Sequence, residues 1–168
     1  GDPDHPRRAE ADAIKASLGL APRTLDLELF TLFDLPGGRG GHNRFARLRA
    51  AHPLPERVGA AWHFLGSPLA EKGLMGPEEY LSVLTDAARR APAGATAVYF
   101  PHRAENMADK AADLAALGYR VHPSDRPYEL WLLEQDELPL EITGFASTTH
   151  FNIGVIFGDR IARNFYEA

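Results

Sequence analysis

The sequence predicts an α/β fold: a Rossmann-like, doubly wound parallel sheet with helices on both faces. Short apolar runs typical of buried strands alternate with amphipathic helical segments over residues 57–168. The spacing between successive strands leaves room for a crossover helix, and such crossovers are right-handed. A chain of 168 residues is also long enough to bury a substantial core.

The first 56 residues are expected to form an N-terminal extension made of a helix, a strand and a glycine-rich loop. Residues 8–18 place apolar side chains at near-helical spacing, and residues 24–33 alternate apolar with acidic side chains, as a strand does. The connection over residues 35–41 is rich in glycine but lacks the Gly-Lys-Ser/Thr ending of a phosphate-binding P-loop. We therefore predict a linker or mobile loop there.

Residues 57–168 are expected to form the Rossmann-like domain. Strands are predicted at residues 58–65, 95–100, 119–122, 138–143 and 160–165. Helices are predicted at residues 77–90, 106–117 and 147–157. A further short helix is expected after Asp125, as its N-cap, with Pro127 in the first turn.

Composition excludes several classes of function. The chain carries 18 basic and 23 acidic residues, a net charge of −5, which argues against a nucleic-acid partner. It has no cysteine, so disulfides, thiolate metal sites and cysteine nucleophiles are excluded. Scattered histidines without HExxH spacing predict no metal site. Without an apolar run of membrane-spanning length or a signal-peptide pattern, a cytoplasmic location is expected.

Ligands of doubly wound sheets bind outside the carboxyl ends of the strands. Four loops follow predicted strands and should share that rim: residues 66–72, 101–106, 122–129 and 145–150. Side chains that bind an anion or a nucleotide are therefore expected in these loops.

Four of the candidate residues suit a phosphate group. His102 can change charge near neutral pH, and Arg103 can hold a phosphate through two parallel hydrogen bonds. Ser147 and Thr148 lie where a helix should begin, and the N–H groups of a helix N-terminus attract anions. The alternative for this hydroxyl pair is simple N-capping of that helix.

Three other polar residues of the rim leave alternatives open. Glu129 either accepts hydrogen bonds from a ribose diol or stabilises the first turn of a helix. Ser67 is either a ligand contact or a turn residue. Glu105 either orients His102 or Arg103, caps the next helix, or simply pairs with Arg103 at the surface.

The segments that hold these residues resemble those of bacterial sialyltransferases of the two-domain GT-B type, above all the α-2,8-polysialyltransferase-like group. The similarity covers roughly residues 58–166 and lies in segments 64–72, 99–106, 127–130 and 144–149. It implies one half of a GT-B glycosyltransferase, the C-terminal nucleotide-sugar domain. It also implies a CMP-activated sugar as substrate, a glycan acceptor and no separate cofactor or metal.

The same resemblance implies roles for individual residues. His102 occupies the position of the catalytic histidine in the family's His-Pro motif, although Arg103 stands where the motif has proline. Ser147 and Thr148 match a paired hydroxyl motif that holds the phosphate, and Glu129 matches a carboxylate near the ribose or base. Peripheral membrane association through a missing domain or partner, and a homo-oligomer, are further expectations about partners.

One departure from the family pattern concerns the general base. In the family it belongs to an acidic pair followed by glycine in an acceptor domain, whereas here the nearest acidic position, Asp34, precedes Leu35. Residues 1–56 are too few for a second Rossmann domain. Two functions therefore stay open: a sialyltransferase-type glycosyltransferase or its donor-binding domain, and a non-catalytic nucleotide-binding or protein-interaction module. A small hydrolase using His102 ranks third.

Overall fold

The computed structural model describes residues 13–14, 16–19, 29–31, 40–42, 45–123 and 125–166. The chain divides into two compact units, Gly1–His42 and Asn43–Ala168. The sequence placed a boundary between residues 56 and 57, and that boundary stays a prediction. No described helix has both the length and the apolar character needed to cross a membrane.

In the first unit, strand β1 (Leu29–Thr31) pairs in parallel with strand β2 (Gly40–His42). The linker expected over residues 35–41 therefore ends in a strand, because Gly40 and Gly41 lie in register with β1. The rest of that linker, most of the strand expected at residues 24–33 and the candidate base Asp34 lie outside the described residues.

The described residues of the second unit form seven strands. They are β3 (Arg57–Val58), β4 (Ala61–Leu65), β5 (Thr96–Phe100), β6 (Arg120–Val121), β7 (Glu137–Leu138), β8 (Glu141–Phe145) and β9 (Ala162–Tyr166). Five form one sheet in the order β6-β5-β4-β8-β9, with every neighbouring pair parallel. The short strands β3 and β7 pair with each other in parallel. Strand order reverses between β4 and β8, which makes that gap the topological switch point of the sheet.

The helices of the second unit connect these strands. They are α1 (Ala46–Ala51), α2 (Pro77–Arg90), α3 (Met107–Ala116), α4 (Tyr128–Leu133) and α5 (Thr148–Phe157), the last followed by a 3₁₀ turn at Gly158–Arg160. Pro77 suits the first turn of α2, where its missing N–H costs nothing, and Arg89 and Arg90 suit the negative carboxyl end. Helices between parallel strands are what the sequence predicted, so the α/β fold class is confirmed.

Side-chain alternation along β4 explains why the sheet carries a core on each face. Trp62 and Phe64 pack with residues of α2 and α3, whereas Leu65 packs with residues of α4 and α5. Successive side chains of a strand point to opposite faces, so one buried strand serves both layers. Burial of each such large apolar side chain contributes about 1.5–3 kcal/mol.

Two local expectations need correction. The strand expected at residues 58–65 is interrupted after Val58, so that β3 and β4 are separate elements. Asp125 does not cap α4, whose N-cap position is Pro127 without a side-chain cap. The Asp125 carboxylate instead accepts a hydrogen bond from Nε of Arg126 at 3.3 Å, and the N-cap position lies two residues further on, at Pro127.

Candidate functional site

A cleft of about 630 Å³ opens at the carboxyl ends of β4, β5 and β8, beside the first residues of α4 and α5. We call it the rim cleft. Its position at the switch point is where doubly wound sheets bind their ligands. The rim cleft is lined by Leu65, Gly66, Ser67, Pro68, Lys72, Phe100, Pro101, His102, Arg103, Asp125, Arg126, Pro127, Tyr128, Glu129, Phe145, Ser147, Thr148 and Thr149.

All the site residues predicted from sequence therefore lie along one cleft. Ser67 follows β4, His102 and Arg103 follow β5, Glu129 is in the first turn of α4, and Ser147 and Thr148 begin α5. Parallel strands end at a common edge, which brings together loops that are far apart in the chain. Whether each of these residues contacts a ligand stays a prediction.

The start of α5 departs from simple N-capping. Ser147 holds the N-cap position with extended backbone, but its side chain makes no capping hydrogen bond. Its hydroxyl lies 3.0 Å from Nδ1 of His150 instead. Within the described residues, no side chain therefore caps the first-turn N–H groups of α5. Such unpaired donors, together with the helix dipole, favour an anion at this end.

His150 is fully buried beneath this turn, with Nε2 unpartnered among the described residues. Burial, followed by the charge of Arg163, lowers the pKa of His150 from 6.5 to about 4. The imidazole is consequently neutral near pH 7, and it serves as a hydrogen-bond partner of Ser147 rather than as a cation.

His102 is exposed and is held through both its main chain and its ring. Its backbone N–H donates to Oε2 of Glu105 at 2.6 Å, and its Nδ1 accepts a hydrogen bond from the backbone N–H of Ala104 at 3.1 Å. Because Nδ1 acts as an acceptor, the hydrogen of the neutral ring belongs on Nε2. Nε2 makes no hydrogen bond within the described residues, so it is available to donate to a ligand.

Of the roles considered for Glu105, the contacts agree with the first, which is to orient His102. The Glu105 side chain is completely shielded from solvent and forms an ion pair of 2.7 Å with Lys110. It accepts a hydrogen bond from the hydroxyl of Tyr99 at 2.6 Å as well as the one from His102. Capping of α3 falls to Asn106, whose side chain accepts from the N–H of Ala108 at 3.2 Å.

Glu129 and Tyr128 connect the first turn of α4 to the rest of the domain. The Glu129 carboxylate accepts a hydrogen bond of 2.6 Å from Nδ2 of Asn152 in α5. The Tyr128 hydroxyl lies 2.7 Å from Nδ1 of the buried His63 in β4. Burial, followed by the nearby His122, lowers the pKa of His63 to about 3, so this ring is neutral near pH 7.

Three basic side chains, Lys72, Arg103 and Arg126, line the rim cleft together with the two carboxylates of Asp125 and Glu129. Arg126 is tied to Asp125 and to Glu134. No ion pair engages Lys72 or Arg103 in the part of the chain that the structure describes. A locally basic cleft in a chain of net charge −5 favours an anionic ligand.

Sequence reasoning overlooked part of this site. Lys72 ends a loop that was expected on the rim, but it was not named as a candidate residue, and the fold shows that it lines the same cleft as Arg103. The hydrogen bond between Tyr128 and His63 joins residues that are 65 positions apart, so no local sequence pattern predicts it. Among the described residues, no group of three histidine and acidic side chains is arranged to hold a metal ion.

Comparisons of the chain with protein-family models, with curated proteins and with solved structures find no match.

Proposed function

We propose that the rim cleft binds the phosphate of a CMP-activated sugar, and that the chain is a glycosyltransferase of sialyltransferase type or its donor-binding domain. One observation carries the proposal: Ser147, Thr148 and His102, which the resemblance assigns to the phosphate, line the same cleft as Arg103. They come from two separate strand-to-helix connections.

The chemistry of the cleft suits a leaving phosphate. Transfer of the sugar breaks the bond between the anomeric carbon and the phosphate oxygen, and negative charge builds up on the departing CMP. The uncapped N–H groups of α5 and the guanidinium of Arg103 would stabilise that charge. Nε2–H of His102 would donate to the same phosphate, since its Nδ1 is already engaged.

Glu129 is the proposed contact for the sugar ring of the nucleotide. Its carboxylate has one oxygen paired with Asn152, which fixes its orientation, and the other oxygen is left for a ribose hydroxyl. A carboxylate held in this manner accepts hydrogen bonds from a diol without further rearrangement.

Binding without transfer is the second candidate function, and one observation favours it. Both carboxylates of the rim cleft already have partners, because Asp125 pairs with Arg126 and Glu129 with Asn152. Within the described residues, Glu129 is already assigned to the ribose and Asp125 to Arg126, so no further carboxylate lines the cleft to take the proton of an acceptor hydroxyl. A nucleotide-binding module would keep the phosphate contacts and lack the transfer step.

Calorimetric titration with CMP tests both candidates at once. We expect saturable binding by the wild-type chain, weakened about tenfold or more in His102→Ala because a hydrogen bond to a charged group is lost. His52→Ala is the matched control, since His52 lies at the end of α1 and does not line the cleft. If wild-type chain gives neither heat nor a thermal shift with CMP, both candidates fail.

Release of CMP from CMP-sialic acid separates the two candidates. An enzyme or its active donor domain should release CMP, and the release should be lost in His102→Ala but retained in His52→Ala. Binding of CMP with no release above the spontaneous rate would exclude a transferase that acts by itself and would leave a module or donor domain that only binds the nucleotide.

A further inference from the structure

We propose that Glu105 is the positioning residue of the rim cleft, because its single buried carboxylate holds the His102 loop directly and the Ser67 loop through the Tyr80 hydroxyl. What these loops bind rests on the proposed function, whereas the positioning stands on contacts within the chain. The Glu105 side chain has no exposure to solvent. A carboxylate without water must obtain all its hydrogen bonds from protein groups.

The two oxygens of Glu105 have different partners. Oε1 faces three side-chain donors: the Tyr99 hydroxyl at 2.6 Å, Lys110 Nζ at 2.7 Å and the Tyr80 hydroxyl at 3.2 Å. Oε2 accepts the backbone N–H of His102 at 2.6 Å. The first oxygen is thus satisfied by the domain core, and the second is committed to the loop that presents the imidazole.

The other loop reaches the same carboxylate through Tyr80. The backbone N–H of Ser67 donates to the Tyr80 hydroxyl at 3.0 Å, and that hydroxyl also lies 2.9 Å from the Tyr99 hydroxyl. A Cβ on Gly66 would collide with both Glu105 and Tyr99. Because Gly66 has no side chain, the loop after β4 can pack directly against the buried carboxylate.

The contacts between α3 and the loop after β4 do not depend on Oε2. Lys110 also pairs with Glu71 at 2.7 Å, and Glu71 accepts the backbone N–H of Asn106 at 2.9 Å. These contacts anchor the start of α3 even without a charge on Glu105. Removal of that charge should consequently loosen His102 more than it loosens the packing of α3 against the loop after β4.

Glu105→Gln is the informative variant, because it keeps the shape of the side chain, removes its charge and replaces one acceptor oxygen by an NH2 donor. Glu79→Gln makes the same chemical change at an exposed position of α2 and is the matched control. In ¹H–¹⁵N spectra of the whole chain, we expect the His102 amide proton to move upfield in Glu105→Gln, since a neutral acceptor forms a weaker bond than a carboxylate. The His102 ring signals should move with it, and neither should move in Glu79→Gln.

We expect the Glu105→Gln variant to bind the nucleotide more weakly. The dissociation constant for CMP should rise about tenfold in Glu105→Gln, as for the loss of a charge-assisted hydrogen bond, and stay unchanged in Glu79→Gln. If wild-type chain does not bind CMP but the His102 signals move, the positioning role stands and the proposed function falls.

His102 amide and ring signals that stay in place in folded Glu105→Gln would overturn the proposal, whatever the melting temperature does. Tyr80→Phe covers the case in which Glu105→Gln does not fold, because it removes only the hydroxyl that links Ser67 to the carboxylate. There we expect the Ser67 amide signal to move and CMP affinity to fall. An unmoved Ser67 amide would overturn the proposal by this second route.

Discussion

The hydroxyl of Tyr128 lies 2.7 Å from Nδ1 of His63, and this pair joins the wall of the rim cleft to the buried centre of the sheet. Tyr128 begins α4, while His63 lies in the middle of β4. Rings of Phe100 and Trp131 surround the imidazole, with centroids 4.7 Å and 5.8 Å away. The hydrogen bond therefore lies in an apolar setting, where an unpaired partner is costly.

Loss of the Tyr128 hydroxyl should destabilise the domain. In Tyr128→Phe, Nδ1 of His63 is left buried without its partner, so the free energy of unfolding should fall by about 1–3 kcal/mol. Urea unfolding followed by circular dichroism measures the change. Tyr166→Phe, which removes a partly buried hydroxyl bonded to Asp86 at 3.3 Å, should cost less. Equal stability of wild type and Tyr128→Phe would contradict the role given to the pair.

Two buried histidines should make the domain sensitive to mild acid. The pKa of His63 is lowered to about 3 and that of His150 to about 4, mainly by burial. In the unfolded chain, each imidazole takes up a proton below its ordinary pKa of 6.5, while the folded chain keeps both neutral. The free energy of unfolding should thus fall between about pH 6.5 and pH 5, by about 2 kcal/mol for each histidine.

Chemical unfolding at a series of pH values checks this slope. His63→Phe should show a shallower slope over the same range, because one of the two titrating groups is gone. His52→Gln should keep the slope of the wild type. A free energy of unfolding that is constant from about pH 6.5 to pH 5 would show that neither ring is kept neutral by the fold.

A methyl group at residue 66 should disturb both stability and the cleft. In Gly66→Ala the new Cβ would overlap the Glu105 carboxylate and the Tyr99 hydroxyl, so the loop after β4 must shift. We expect a loss of about 1–3 kcal/mol in the free energy of unfolding, typical of overpacking. Gly76→Ala is the control, since its Cβ would meet only Glu79 at 4.0 Å. Similar melting temperatures for both variants would refute the steric argument.

Arg103 should contribute charge to ligand binding without stabilising the fold. Arg103→Ala should weaken CMP binding about fivefold to tenfold, and affinity should depend less on salt than in the wild type. Its melting temperature should stay near that of the wild type, because Arg103 is exposed. Arg89→Ala, at the carboxyl end of α2, should leave CMP affinity unchanged. An unchanged affinity in Arg103→Ala would remove this residue from the site.

Much of the fold was predictable because local patterns report local structure. The amphipathic stripe of α2, with Pro77 at one end and paired arginines at the other, was readable in the sequence. So were the short apolar runs that predict β4 and β5 as buried strands. The start of α4 was not, since Asp125 has the chemistry of an N-cap and only its contact with Arg126 shows that it does not cap.

The sequence predicted which loops form the candidate site, but it did not predict the hydrogen bonds that the side chains of those loops make. Ser147 looked like an N-cap, but the direction of its hydroxyl depends on where His150 is buried. The sequence left three roles open for Glu105. The choice among them depends on its contacts with Lys110 of α3 and Tyr99 of β5.

The sequence by itself determined the order of strands and helices, the placement of polar residues after the strands, and hence the edge of the sheet where a ligand would bind. It could do so because periodicity, capping and turn chemistry act over a few residues. Only the tertiary structure decided which side chains are buried as partners of the site and which are left free to meet a ligand. Hydrogen bonds such as those of Glu105 join separate elements, and burial, which makes those bonds obligatory, is a property of the packed domain.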